Sequence, residues 1–138
     1  MSTESERRLL QAAVALASLV PLSIGTLGVI EGPELLRGVG TAVPVDLDSH
    51  VRYLSGLLAG IGLGFVSCIP AIERRGARFR MLGLIVVLGG LARLLSLAGA
   101  GAPGRGHLFG LAMELAVVPL LMLWQSRIAA KSEQPRPH

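Results

Sequence analysis

Only one cysteine, Cys68, occurs in this chain, and it lies inside an apolar run. No intrachain disulfide can form. Without a C-x-x-C pair, the sequence also argues against a thiol oxidoreductase of the quinone-linked membrane type. Cys68 reads as a small packing residue. Charge is scarce as well, at 16% of residues, against about 25% in soluble domains. No phosphate-binding glycine loop, zinc motif or nucleophile–base set is present. The sequence therefore leans away from an enzyme, and no catalytic residue, metal ion or cofactor is expected beyond a bound lipid or quinone.

What the chain does have is apolar sequence. Of its 138 residues 51% are hydrophobic, and the mean hydropathy is +0.62. A water-soluble core could not hide that much apolar sequence in so short a chain, so the lipid bilayer is its solvent and first partner. The net charge is +4 and the pI about 10.6. In a soluble protein that balance would point to nucleic acid. Here the basic residues cluster at the ends of apolar runs, where they set topology and meet anionic headgroups. No nucleic-acid partner is expected.

Four apolar runs read as transmembrane helices, at about 9–30, 51–72, 79–101 and 107–128. The first three have about 22 residues each, or about 33 Å of helix, which suits a hydrocarbon core of about 30 Å with some tilt. The membrane domain is thus 9–128, between a mobile polar tail, 1–8, and a disordered tail, 129–138, with Pro135 and Pro137. Arg7-Arg8 before an apolar run resembles a signal peptide, but Ala15-Leu16-Ala17 comes too early for cleavage, so the run reads as an uncleaved helix. Pro21 should bend it. In the long loop Glu31 to His50, Pro33 opens one or two surface turns, and Asp48 or Ser49 caps the second helix. Pro70 closes that helix. The glycines Gly56, Gly60 and Gly64, spaced by four, mark its packing face, and Gly83, Gly89 and Gly90 do the same for the third.

The basic residues orient the chain. Arg7, Arg8, Arg74, Arg75, Arg78, Arg80, Arg127, Lys131 and Arg136 fall on one side, against Arg37, Arg52 and Arg105 on the other. Nine against three puts both termini in the cytoplasm. The fold class is an all-α, four-helix transmembrane bundle.

Two ionisable residues lie deep in the apolar runs. Arg93 is 13 residues beyond Arg80, and Glu114 is 13 before Arg127. At about 1.5 Å per residue both sit about 20 Å from the same face. The third and fourth runs are joined by a short turn, so an Arg93–Glu114 ion pair follows. Its plainest role is structural, fixing one helix against the other. The alternative makes it the floor of an outward-facing pocket. Arg52, on the glycine-marked face, would line that pocket about 13 Å higher, with Tyr53 beside it and the segment ending Asp46, Asp48 and His50 as its lid. Such a pocket suits an anionic or carbonyl-bearing headgroup, a lipid or quinone. Asp46, Asp48 and His50 could also be read as metal ligands, but before a helix they are more commonly caps and turn formers. Tyr53 and His107 read as interfacial residues.

The segments Asp48-Ser49-His50-Val51-Arg52-Tyr53-Leu54-Ser55-Gly56, Gly89-Gly90-Leu91-Ala92-Arg93-Leu94-Leu95-Ser96 and Leu111-Ala112-Met113-Glu114-Leu115 together resemble the small bacterial four-helix membrane proteins of domain-of-unknown-function family 4345. The resemblance spans about Leu9 to Ile128. It implies a multi-pass inner-membrane protein with Arg52, Arg93 and Glu114 in motif positions, and no assigned activity. A looser likeness to DoxX-like proteins is one of fold alone. Three readings of function result. The first is a structural or accessory component of a membrane assembly, meeting a membrane-protein partner or its own copies. The second is the lipid or quinone headgroup site. The third is a small dimeric transporter, which the scarcity of polar residues on the inner half disfavours.

Overall fold

The computed structural model describes residues 3–36, 38–40 and 42–133. Arg37, Arg136 and the prolines of the C-terminal tail lie outside them. The described residues form helices and the turns that join them, with no strand. The helices are α1 (Thr3–Glu31), α2 (Val45–Cys68), α3 (Gly76–Ala100), α4 (Arg105–Ala112) and α5 (Val118–Glu133). Single 3-10 turns follow α1 (Gly32–Leu35) and α2 (Ile69–Ala71), and a π-helical turn, Met113–Val117, joins α4 to α5. Four segments are long and apolar enough to cross a membrane: Thr3–Leu35, Val45–Ala71, Gly76–Ala100 and Arg105–Ser132. The last comprises α4, the π turn and α5.

Large apolar side chains such as Leu16, Leu19, Leu63, Leu88, Leu95 and Leu120 stand exposed along these segments. In water that surface would drive aggregation; in a bilayer it is the solvated face.

The chain divides into two compact units. The unit Ala13–Ser67 packs α1 against α2. Close approach falls at Gly25, where a β-carbon would stand 2.6 Å from the Ala59 amide nitrogen and 2.8 Å from the Ser55 carbonyl oxygen. Gly28 is filled by the Ser55 hydroxyl, and a β-carbon at Gly62 would lie 2.9 Å from Leu22. The packing face of α2 is therefore Ser55, Ala59 and Gly62. This corrects the expected glycine face: Gly56 makes only ordinary contact, 3.9 Å from Val29, and Gly60 has nothing within 4 Å.

In the other unit, the first turns of α1 meet the α2–α3 connection and the end of α5. Leu10, Ile72, Phe79 and Ile128 are fully buried there. Two glutamines close carbonyls that the helices leave open: Gln11 donates to the Ile69 carbonyl at 2.7 Å, and Gln125 to that of Ile72 at 2.8 Å. Pro70 ends α2 and leaves such groups free.

The polar N-terminal segment is helix from Thr3 onward rather than a mobile tail. Glu4 bonds Arg7 and Arg8 at 3.0 Å one turn on, Glu6 takes Lys131 at 2.7 Å, and Arg7 lies 3.8 Å from Glu73. Local pairs and acidic residues in the first turn favour helix there, and the long-range pairs dock it. At the other end α5 runs past Ile128 to Glu133. Helix α2 begins at Val45, where the Asp48 amide bonds the Pro44 carbonyl at 3.1 Å, so Asp48 and Ser49 lie within the helix and are not its cap. Pro21 is accommodated within an unbroken α1.

Candidate functional site

Helix α3 buries Phe79, Gly83 and Gly90, and Arg93 follows on the same stripe three residues after Gly90. Gly90 allows contact with the fourth span: a β-carbon there would fall 2.7 Å from Leu115 and 2.8 Å from the β-carbon of Glu114. Gly83 likewise admits Met122. Arg93 then meets Glu114 as a parallel fork, Nε to Oε2 at 3.0 Å and Nη2 to Oε1 at 3.0 Å. This two-bond geometry is the strong form of an arginine–carboxylate pair. The Glu114 side chain is 18% exposed and that of Arg93 34%.

A third member joins. Arg93 Nη1 lies 2.9 Å from His107 Nδ1. A guanidinium only donates, so Nδ1 is the acceptor and the imidazole proton sits on Nε2. His107, Gly110 and Glu114 share one face of the fourth span, spaced three and four apart. The interfacial reading of His107 did not foresee this contact; its helical register with Glu114 was the available signal.

Glu114 also lies in the π turn. The Val118 amide bonds the Met113 carbonyl, five residues back. Pro119 follows. It has no amide hydrogen, and its ring would clash with the carbonyl four residues earlier. The wider turn absorbs that conflict, and such bulges often accompany functional positions.

Arg52 and Asp48 form a separate cluster in the other unit. Arg52 Nε bonds Asp48 Oδ2 at 2.9 Å, and Nη1 donates to the carbonyls of Val29 at 2.5 Å and Ile30 at 2.9 Å. These are terminal carbonyls of α1, left without intrahelical donors. A cation there also complements the helix dipole. Gly32 turns the chain at φ +63°, and a β-carbon on it would lie 2.7 Å from Asp48 Oδ1. Arg52 is thus engaged as the C-terminal cap of α1. Tyr53 and His50 are exposed and belong to neither cluster. Among the described residues no group of three His, Cys, Asp or Glu side chains is placed to hold a metal ion.

Four helical segments long and apolar enough to cross a membrane, with an arginine–glutamate fork between two of them, define a multi-pass membrane protein. The chain belongs to the family described as domain of unknown function DUF4345, which it matches over residues 9–125. No curated protein and no solved structure matches it.

Proposed function

We propose that this protein is a non-catalytic accessory component of a membrane assembly, held in the inner membrane with both termini cytoplasmic, and that α2 receives a transmembrane helix of a partner protein. One observation carries the reading. Packing against α1 uses Ser55, Ala59 and Gly62, which leaves Gly56 and Gly60 exposed on α2. A glycine row open to hydrocarbon is a poor lipid surface and a good helix surface, since it lets a second backbone approach closely. The ionisable residues Arg93, Glu114, Arg52 and Asp48 are engaged with one another or with backbone, which favours a structural role for them. The test is Gly60→Leu. A β-carbon there meets nothing within 4 Å among the described residues, so folding should persist while a larger complex in mild detergent breaks down to the 14.4 kDa protomer. Wild-type protein that extracts only as that protomer would count against the proposal.

A second reading is a headgroup site at Arg93. After bonding Glu114 and His107 the guanidinium keeps two N–H groups, one on each terminal nitrogen. These could meet a quinone carbonyl or a lipid ester, with Glu114 fixing the plane.

A further inference from the structure

The connection from α2 to α3 holds a cavity of about 580 Å³, lined by Glu73, Arg74, Gly76, Ala77 and Arg80, with Ala129 and Ser132 of α5 opposite. It lies at the arginine-rich end of the spans, the level at which lipid headgroups sit. Its polar groups are of two kinds, and each kind includes groups with no partner among the described residues.

The donors come first. Arg74 and Arg80 are exposed at the rim. Helix α3 starts here, and Arg75 at its N-cap makes no side-chain cap bond. The amides of Gly76 and Ala77, which line the cavity, have no acceptor within the helix. A long helix opening toward two guanidinium groups favours a phosphate.

The acceptors point elsewhere. Glu73 Oε2 is buried with no hydrogen-bond partner among the described residues, and so is Oε1 of Gln125. Gln125 is fully buried directly behind Gly76, its amide 3.3–3.5 Å from where a β-carbon on that glycine would stand. Its Nε2 is committed to the Ile72 carbonyl, which leaves the oxygen as a pure acceptor. A phosphate alone would sit against the Glu73 carboxylate unfavourably. A ligand that carries N–H donors as well as a phosphate satisfies both sets.

We infer that this cavity binds a phosphate ester bearing a primary ammonium, the headgroup of an aminophospholipid. The phosphate lies at Arg74, Arg80 and the start of α3. The ammonium turns inward to Glu73. The ligand carries charge of both signs, as the lining does in Arg74, Arg80 and Glu73.

The test uses the full-length protein, delipidated in mild detergent and exposed to equal mixtures of phosphatidylethanolamine, phosphatidylcholine and phosphatidylglycerol with matched acyl chains. Retained lipid is read by native mass spectrometry. Phosphatidylcholine keeps the phosphate and the positive charge but has no N–H to donate; phosphatidylglycerol keeps the phosphate and lacks the cation. The expected result is retention of phosphatidylethanolamine about tenfold over either, a difference of about 1.4 kcal/mol. Arg80→Gln should weaken all three lipids, whereas Glu73→Gln should reduce the preference for phosphatidylethanolamine, most of all over phosphatidylglycerol, which lacks the cation. Because Glu73 also faces Arg7, Ala77→Phe provides a second variant that fills the cavity without removing a charge and should lose the lipid while thermal unfolding is retained. Equal retention of phosphatidylcholine, or tighter binding of phosphatidylglycerol, overturns the inference. Displacement by soluble O-phosphoethanolamine at similar concentration would support the recognised group and overturn its membrane source, and displacement by inorganic phosphate alone would overturn both.

Discussion

Arg93 grips Glu114 through two parallel hydrogen bonds of 3.0 Å, and the approach of their helices is set by Gly90, one turn below. The fork therefore depends on a backbone contact as well as on charge. Removing one partner leaves the other uncompensated in a medium of low dielectric.

Glu114→Leu is accordingly expected to lower stability by about 3 kcal/mol, read as earlier thermal unfolding in detergent. Replacing both residues, Arg93→Leu with Glu114→Leu, should recover most of that loss if the pair is only structural. A double variant no more stable than Glu114→Leu alone would show that the pair does more than neutralise itself.

Gly90→Val tests the backbone half of the contact. Any β-carbon there falls within 3 Å of Leu115 and Glu114, so the helices must separate at the level of the fork. The expected cost is about 1–3 kcal/mol of overpacking. Gly89→Val, where nothing lies within 4 Å, should unfold at the wild-type temperature. Equal behaviour of the two would contradict the assignment of the seam.

That contrast shows what the sequence made legible. Depth counted from the basic residues placed Arg93 level with Glu114, because rise per residue is fixed once a run is helical. Azimuth was harder to read. From Arg52, steps of four reach Gly56, Gly60 and Gly64, whereas alternating steps of three and four reach Ser55, Ala59 and Gly62. A helix of 3.6 residues per turn puts both series near one stripe at first and separates them further on. Composition favoured the glycines, but the structure packs the second series. The docking of Glu6 on Lys131 and of Arg7 near Glu73 spans most of the chain, and no local pattern announces it. Pro119 disturbs the helical ladder of the fourth span, but the position of the π turn at Glu114 depends on which carbonyl the Val118 amide selects.

Arg52→Gln should loosen the end of α1. The Val29 and Ile30 carbonyls would lose their charged donor, and Asp48 its partner. Faster amide exchange is expected around residues 29–36, with exchange in α3 unchanged. Protection that stays at the wild-type level would mean that the cap contributes little.

Topology can be checked by thiol labelling, since the native Cys68 is fully buried and should stay silent in the folded protein. Ala42→Cys lies in the connection between α1 and α2, and Arg75→Cys in the basic connection between α2 and α3. With both termini cytoplasmic, an impermeant reagent added outside should label position 42 and not position 75. Labelling at 75 alone would invert the orientation.

The headgroup reading of Arg93 separates from the structural one through His107. His107→Gln offers the guanidinium another neutral acceptor, whereas His107→Leu removes it and leaves an N–H group on Nη1 unbonded. If the centre is only a helix clamp, both variants should keep the fork to Glu114 and neither should change the lipid or quinone that co-purifies. If Arg93 receives a headgroup, His107→Leu frees a donor that the ligand's carbonyl can take, so its retention should rise or its position shift, and Arg93→Leu with Glu114→Leu should lose it outright while still folding. Mass spectrometry of the bound small molecules in the three variants decides between the readings, and a wild-type protein that carries none would eliminate the second.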